Sequence, residues 1–311
     1  MRFLLLGKDG QVGRALQETL PPLGAVHAVG RAQLDLAAGL ASAAAEPPEG
    51  GLGGLERLLQ QVRPQVIVNA AAYTAVDEAQ RDRDRAWQVN ARAPALMAAW
   101  ARQAGALLVH YSSDYVFDGR KALPYLEADA TAPLNVYGQT KQAAERAILG
   151  SGCQCLIFRT SWVFSAHPGN FVHTLVMRAL TCDALSVVAD QVGAPTSARL
   201  LAQVTARAIE ACSRGGLAPG LYHLTAAGAV SRYALACHIV RHIQALGFAT
   251  RLQPERIHAV ASVDYPAQAV RPANSRLDSG ALQQALALAL PHWSGPVDQA
   301  VGQILRNHQI A

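Results

Sequence analysis

Tyr137 and Lys141 stand four residues apart in the stretch Tyr-Gly-Gln-Thr-Lys, and at that spacing a phenol and an ammonium share one face of a helix. A tyrosine with an ordinary pKa near ~10 exchanges protons poorly at neutral pH, whereas a neighbouring ammonium favours its phenolate. The pair therefore suits proton transfer to or from a reacting oxygen. As a bare exposed helical pair, the same residues would contribute only ~0.2–0.5 kcal/mol of stability.

Other residues share the chemistry. Gly7, Gly10 and Gly13 follow the apolar run Arg2 to Leu6 and precede a predicted helix from about Val12 to Leu20. Glycines there let the backbone approach a pyrophosphate, and the helix N-terminus, through Gln11 and Val12, supplies N–H donors. The spacing is Gly-x-x-Gly-x-x-Gly, which a plain tight turn would also explain, but its place between first strand and first helix points to a dinucleotide. Gly30 and Arg31 end the second apolar run, where an acidic residue would bind the adenosine ribose. Arg31 suits a 2′-phosphate, so NADPH is expected, with NADH as the alternative. Asp35 and Leu36 then fall beside the adenine, although Asp35 reads equally well as a turn residue. Ala72, Tyr73 and Thr74 follow a third strand, and small side chains at such an end leave room for a cofactor. Tyr111 to Asp114 closes the next strand, where Ser112 or Ser113 could hydrogen-bond a substrate carbonyl.

The elements that must hold these residues alternate. Strands are predicted at Arg2–Leu6, Ala25–Val29, Gln65–Asn69, Leu107–Tyr111 and Leu156–Thr160, with helices at Leu55–Val62, Asp82–Ala104 and around Tyr137. That pattern implies an α/β fold: a doubly wound, mainly parallel sheet of Rossmann type. Past Trp162 it becomes irregular, with short strands at Leu185–Val188, Gly220–Leu224 and Ile257–Ala259 and helices at Leu200–Ala211, Tyr233–Leu246 and Ser279–Ala289. The expectation is a dinucleotide-binding domain over 1–162 and a smaller mixed substrate-binding region over 163–311, some of whose segments return to the first. Gly39–Gly54, rich in glycine and alanine, reads as a loose surface insertion.

Composition narrows the function classes. With 51% hydrophobic and 16% charged residues, the 311-residue chain is expected to fold around a sizeable core. Its net charge of +5 is scattered, without the basic stripe of a nucleic-acid surface. Five cysteines without a Cys-x2-Cys pair and ten histidines without a ligand motif argue against disulfides and a catalytic metal. No apolar run reaches spanning length, so a cytoplasmic enzyme without membrane partners is expected.

The order of glycine turn, strand-end serine and Tyr-x3-Lys resembles the extended short-chain dehydrogenase/reductases. Seven segments sharpen this: GKDGQVG (7–13), VIVNAAAYTAVDEAQ (66–80), HYSSDYVFDG (110–119), PLNVYGQTK (133–141), FRTSWVF (158–164), DQVGAPTSA (190–198) and RPANSRL (271–277). Together they resemble the dTDP-4-dehydrorhamnose reductase family from Met1 to about Trp293. The resemblance implies Tyr137 as proton donor and Lys141 as the group that lowers its pKa and binds the nicotinamide ribose. Ser113 stands at the family's usual threonine position and would hold the carbonyl, with Asp114 beside it in the sugar site. Gly10, Gln11 and Val12 would meet the pyrophosphate, with Tyr111, Ala72, Tyr73 and Thr74 flanking the cofactor. Trp162 would pack on the deoxysugar, and Asn170, Gln191, Arg271 and Asn274 would serve the thymidine diphosphate half, with Arg276 as a rival phosphate ligand. Tyr73 replaces a frequent histidine, and the family often carries an acid where Gly30 or Arg31 stands.

The implied reaction is reduction of a 4-keto deoxysugar nucleotide that feeds cell-surface polysaccharide such as the lipopolysaccharide O-antigen. The resemblance also permits a magnesium ion at a subunit contact, and with it a homodimer, though the sequence indicates neither. Two other readings stand beside it: a sister enzyme for another 4-keto deoxysugar nucleotide, and a non-catalytic binding subunit such as the regulatory subunit of methionine adenosyltransferase.

Overall fold

The computed structural model describes residues 1–38 and 50–310. Apolar runs bounded by glycine or polar turns form the six strands of its main sheet: β1 (Arg2–Leu6), β2 (Ala25–Val29), β3 (Val66–Asn69), β4 (Leu107–Ser113), β5 (Cys155–Thr160) and β6 (Gly220–His223). Their order is β6-β5-β4-β3-β1-β2, and every pairing is parallel. Parallel sheets are covered on both faces, so neighbouring side chains of a strand enter different cores. Phe3 and Leu5 accordingly join one buried cluster, and Leu4 and Leu6 another. From β1 the chain steps outward to β2, then recrosses to β3 on the other side. That reversal opens a ligand crevice beyond the carboxyl ends of β1 and β3.

Four helices wrap the first half: α1 (Gln11–Thr19), α2 (Gly51–Val62), α3 (Ala93–Ala104) and α4 (Val136–Ser151). In the second half follow α5 (Phe171–Thr181), α6 (Ala198–Ser213), α7 (Arg232–Ala245) and α8 (Ser294–Ile310). Short parallel pairs join Val163–Phe164 to Thr196–Ser197 and Leu185–Val188 to Ile257–Val260. The predicted substrate-side strand at Gly220 instead becomes the edge of the main sheet, beside β5. Among the described residues no separate core lies beyond Trp162, because the larger buried cluster holds side chains from both halves, Phe3 and Leu305 among them.

Two expectations change. The insertion expected over Gly39–Gly54 is not loose at its end: α2 begins at Gly51, whose N–H donates to the Asp35 carbonyl at 2.8 Å, and Gly54 is buried. The remainder, 39–49, lies outside the described residues. The helix expected over Asp82–Ala104 is interrupted by a π turn at Gln88–Arg92, which turns Asn90 inward. There its side chain accepts from the Tyr73 N–H at 2.8 Å and donates to the Thr140 hydroxyl at 3.1 Å, tying the end of β3 to α4. Among the described residues, no helix is long and apolar enough to cross a membrane.

The tightest junction joins α4 to β4. Asn135 caps α4 by accepting the Gly138 N–H at 2.8 Å, and Gly138 is required because a Cβ there would stand 2.1 Å from the Tyr115 carbonyl. Three side chains, each four residues after the last, then meet three consecutive strand residues. Lys141 donates to the Tyr111 carbonyl at 2.7 Å, Glu145 accepts from the Ser112 hydroxyl, and the Tyr137 hydroxyl faces that of Ser113 closely enough to feel it. Glu145 is also held by Arg159 of β5, through Nε at 2.9 Å and Nη2 at 2.7 Å, with side-chain exposures of 3% and 6%. Removing one partner of such a pair strands a buried charge, which costs about 3–5 kcal/mol. Glu145→Ala should lose that much in urea denaturation; a loss below about 1 kcal/mol would mean the pair does not hold the junction.

Candidate active site

Two cavities flank the α4–β4 junction. The first, of about 200 Å³, lies at the crevice between β1 and β3 and includes Gly7, Gly10, Arg31, Leu36, Ala72 and Tyr73 in its lining. Gly7 has φ +81, and a Cβ on it would come within 2.6 Å of the Ala71 nitrogen, so only glycine lets β1 turn against β3. A Cβ on Gly13 would stand 2.0 Å from the Gly7 carbonyl, which brings α1 down onto the same turn. No side chain caps α1, and no acidic residue occupies its first turn. Its N–H groups and the positive end of its dipole are thus left for an anion, so the loop fits a dinucleotide pyrophosphate.

At the adenosine end, the carboxylate that Gly30 lacks is supplied from elsewhere in the chain. A Cβ on Gly30 would lie 1.8 Å from Asp9 Oδ2, so the carboxylate missing from the end of β2 is replaced by one from the glycine turn. Asp35 also lines the cavity, paired with Arg31 at 3.4 Å and with Arg85 at 3.7 Å. Arg85 had been invisible in a run of alternating charges that reads as a solvated face. Gln11 is outside the cavity lining and uses its side chain on the loop before α5, donating to the Pro168 carbonyl at 2.7 Å and accepting from Ser165. Val12 packs against the core, and Thr74 is exposed beyond the cavity lining. Tyr111 is a correction: its ring lies in the core with its hydroxyl 2.7 Å from the Thr205 hydroxyl, and only its carbonyl reaches the site, through Lys141.

The second cavity, of about 690 Å³, includes Phe171, Arg178, Gln191, Arg232, Tyr265 and Arg271 in its lining. Arg271 forms a two-point pair with Asp77, at 2.6 and 3.3 Å, and that pair holds the Asp77 carboxyl below its usual range. Arg232 was missed by sequence reasoning. Its guanidinium lies 4.2 Å from the Trp162 ring centroid and 5.3 Å from that of Phe171, and it donates to Gln191 at 3.0 Å. The available signal was positional: Arg232 opens α7, where the helix dipole disfavours a cation, so another interaction must hold it there. Trp162 has φ +46, a strained conformation for a non-glycine residue, and that turn carries its indole over Gly193 and under Arg232.

Two expected diphosphate ligands lie elsewhere. Asn170 caps α5 by accepting the His173 N–H, and its amide donates to the Ser165 and His167 carbonyls. Asn274 donates to the Lys121 and Leu123 carbonyls and accepts from Arg276, so both ends of its amide are committed to loop structure. Arg276 is turned away as well, donating to the Ala122 carbonyl and to Asn274.

Tyr137 lines neither cavity but touches residues that border both. It packs with Tyr73 on the cluster of Ala79, Ala86 and Val136, and its ring meets Tyr115 edge-on at 5.7 Å. Tyr115 in turn hydrogen-bonds Arg232 and Arg271. Ser113 donates to Asp114 at 2.9 Å besides meeting the Tyr137 hydroxyl, whereas Ser112 is spent on Glu145. The electrostatics overturn one expectation. Burial pushes the Tyr137 phenol up, the Ser113 contact only partly offsets this, and Asp114 and Tyr115 add to it. The Lys141 ammonium, directed to the Tyr111 carbonyl, does not reverse that rise. Burial also lowers Lys141 itself to about 8, against the opposing effect of Glu145. The site therefore holds a protonated phenol, the form that can donate to a nascent alkoxide.

Among the described residues, no group of three or more potential ligands could hold a metal ion. Residues 1–306 match the family described as RmlD substrate binding domain. The chain is 41% identical over 304 residues to a protein of Escherichia coli (strain K12) named dTDP-4-dehydrorhamnose reductase, with 98% of each covered. The crystal structure of a dTDP-4-dehydrorhamnose reductase from Clostridium acetobutylicum is similar at a TM-score of 0.85 and 28% identity, covering 98% of this chain and 100% of that one. Another from Bacillus anthracis, in complex with NADP, gives 0.82 at 28% identity and covers 98% and 99%.

Asp114 offers a direct check on the site's electrostatics. Burial raises its carboxyl from 3.8 to about 6, with the Ser275 and Ser113 hydroxyls opposing the shift. Folding thus favours the protonated acid: the folded state bears no penalty below pH 3.8, a growing one up to about 6, and a constant one above. Asp114→Asn should stabilise the fold at about pH 7.5 by roughly 1–3 kcal/mol, and by less at about pH 4.5, in denaturant titrations. A gap independent of pH would show that Asp114 is not held neutral by burial.

Proposed function

The chain belongs to the RmlD substrate binding domain family, and from that premise we propose that it uses NADPH to reduce the C4 keto group of dTDP-4-dehydro-L-rhamnose, giving dTDP-L-rhamnose. The observation that carries this reading is the meeting of Tyr137, Ser113 and Lys141 on one helix face and one strand end, where Tyr137 touches Tyr73 of the dinucleotide cavity and Tyr115 beside the arginines of the other. The reduced nicotinamide supplies the hydride. As the carbonyl π pair moves onto oxygen, the Ser113 hydroxyl holds that oxygen and Tyr137 gives it a proton. Lys141 binds the nicotinamide ribose and presents a positive charge beneath the phenol, which limits the cost of forming phenolate. The glycine turn and the N-terminus of α1 hold the pyrophosphate, with Arg31, Asp35 and Leu36 at the adenosine. Residues 1–162 thus serve the dinucleotide and 163–311 the sugar nucleotide, although both draw on one core.

In the larger cavity Arg232 and Arg271 take the substrate diphosphate, and just beyond its lining Trp162, beneath Arg232, lies under the deoxysugar, with Asp114 at its hydroxyls. Gln191 acts through Arg232, whose guanidinium it orients. The partner is a small nucleotide sugar, the setting is the cytoplasm, and the product supplies rhamnose for surface polysaccharide such as O-antigen.

Tyr137→Phe should lower reductive turnover by about 10²–10⁴-fold, the usual worth of a general acid, while NADPH binding persists. Turnover within a few-fold of the unaltered chain, followed by loss of reduced-nicotinamide absorbance, would end the assignment. In the unaltered chain, turnover should be level below about pH 8 and fall above it as Lys141 loses its proton. A profile flat across that range would separate Lys141's charge from the reaction. A panel of 4-keto deoxysugar nucleotides tests the sugar: preference for another member would move the reading to that substrate.

A further inference from the structure

At the adenosine end of the dinucleotide cavity, two guanidinium groups from distant parts of the chain reach one carboxylate oxygen. Arg31 Nε, just beyond β2, lies 3.4 Å from Asp35 Oδ2, and Arg85 Nη2, in the short helix Arg83–Trp87, lies 3.7 Å from the same atom. Side-chain exposures of 69% for Arg31, 32% for Arg85 and 37% for Asp35 make both contacts too solvent-screened to matter for stability. Their effect is positional. Asp35 is itself fixed by the Ala37 N–H, which donates to Oδ1 at 3.0 Å, so the backbone sets the point on which the two cations converge. All three residues line the cavity together with Gly30, at the end of β2 where the adenosine ribose is read. Asp9 presents the opposing charge, its carboxylate filling the space beside Gly30.

We propose that Arg85 is a specificity-determining residue which, together with Arg31, selects the 2′-phosphate of NADPH over the 2′-hydroxyl of NADH, with Asp35 as the internal anion that the phosphate displaces. The inference rests on the reductase reading above. A phosphate monoester carries about −1.5 to −2 charges near neutrality and three acceptor oxygens, more than a carboxylate offers, so it draws both guanidinium groups to itself. A ribose hydroxyl carries no charge and leaves both arginines on Asp35. Because Asp9 repels the phosphate from the glycine turn, one cation alone is offset and the second confers the preference. Arg85 comes from the helix that packs beside α4, so this selection joins the adenosine end to the catalytic helix's own layer.

The test compares the unaltered chain with Arg85→Gln and Arg31→Gln. Initial rates are measured with each cofactor and the keto-sugar nucleotide, and binding of NADPH and NADH alone is followed by nucleotide fluorescence. Arg85→Gln should lower kcat/KM and affinity for NADPH by about tenfold or more, as expected for loss of a charge-assisted phosphate contact, and change those for NADH by less than about threefold. An unchanged NADPH-to-NADH ratio, or equal losses with both cofactors, overturns the assignment. The binding arm keeps the two readings apart. If the unaltered chain binds NADPH but leaves the keto-sugar unreduced, the reductase reading fails, while the affinity ratio still decides the role of Arg85.

Discussion

Everything at the reacting centre depends on how α4 is fastened to β4. Tyr137, Lys141 and Glu145 are successive members of one helical stripe, and each is committed to a different one of three adjacent strand residues. Only two of these contacts face the chemistry. The third, from Glu145 to Ser112 and Arg159, is dry and two-pronged, and it sets the rotation and height of the helix. A helix turned by a fraction of a residue would carry the phenol away from Ser113, so a buried ion pair remote from the reaction governs a distance inside it. Gly138 adds a steric condition, since the helix can lie this close to Tyr115 only without a side chain at that point.

The same burial that fastens the helix sets the protonation states. Pulled out of water, the phenol stays neutral, the ammonium is weakened and the Asp114 carboxyl keeps its proton longer. For a reduction, a neutral phenol is the useful resting form, because the alkoxide formed at the ketone is a far stronger base than phenolate. The lysine next to a catalytic tyrosine is then best understood through the state after proton transfer, when its charge stands near a new anion. Its bond to the Tyr111 carbonyl keeps it in place until then.

Much of this was legible in the sequence, and the gaps have physical causes. The first five strands, the glycine turn and the tyrosine–lysine pair follow from local pattern, since a fully buried strand or a helix face leaves a period in the chain. Asp9, Arg85 and Arg232 left no such trace. Each reaches its site from an element whose neighbours are set by tertiary packing, and each sits where local composition suggests a solvated charge. Asn170 and Asn274 erred in the opposite direction: as polar residues within the span of the family resemblance they suggested ligands, whereas capping α5 and closing a loop already use their amides. Helix α8 was not expected; it carries Gly295, Pro296 and Gly302, of which only the interior glycine weakens a helix. The π turn around Asn90 carries no residue that announces it.

The continuous apolar mass beneath both crevices has a mechanical consequence. With Phe3 and Leu305 in one cluster, the two halves lack a seam along which they could swing like jaws. Coenzyme and sugar must then meet across a gap of nearly constant width, and admission and exit fall to peripheral chain. The segment from Ser262 to Arg271 belongs to that periphery: it forms one wall of the larger cavity, carries the highly exposed Val263, and is moored to the body through the carboxylates of Asp190 and Asp77. Only the Asp77 mooring is an ion pair, with Arg271, while Asp190 accepts from neutral Ser262 groups, so ionic strength weakens one end of the wall and spares the other.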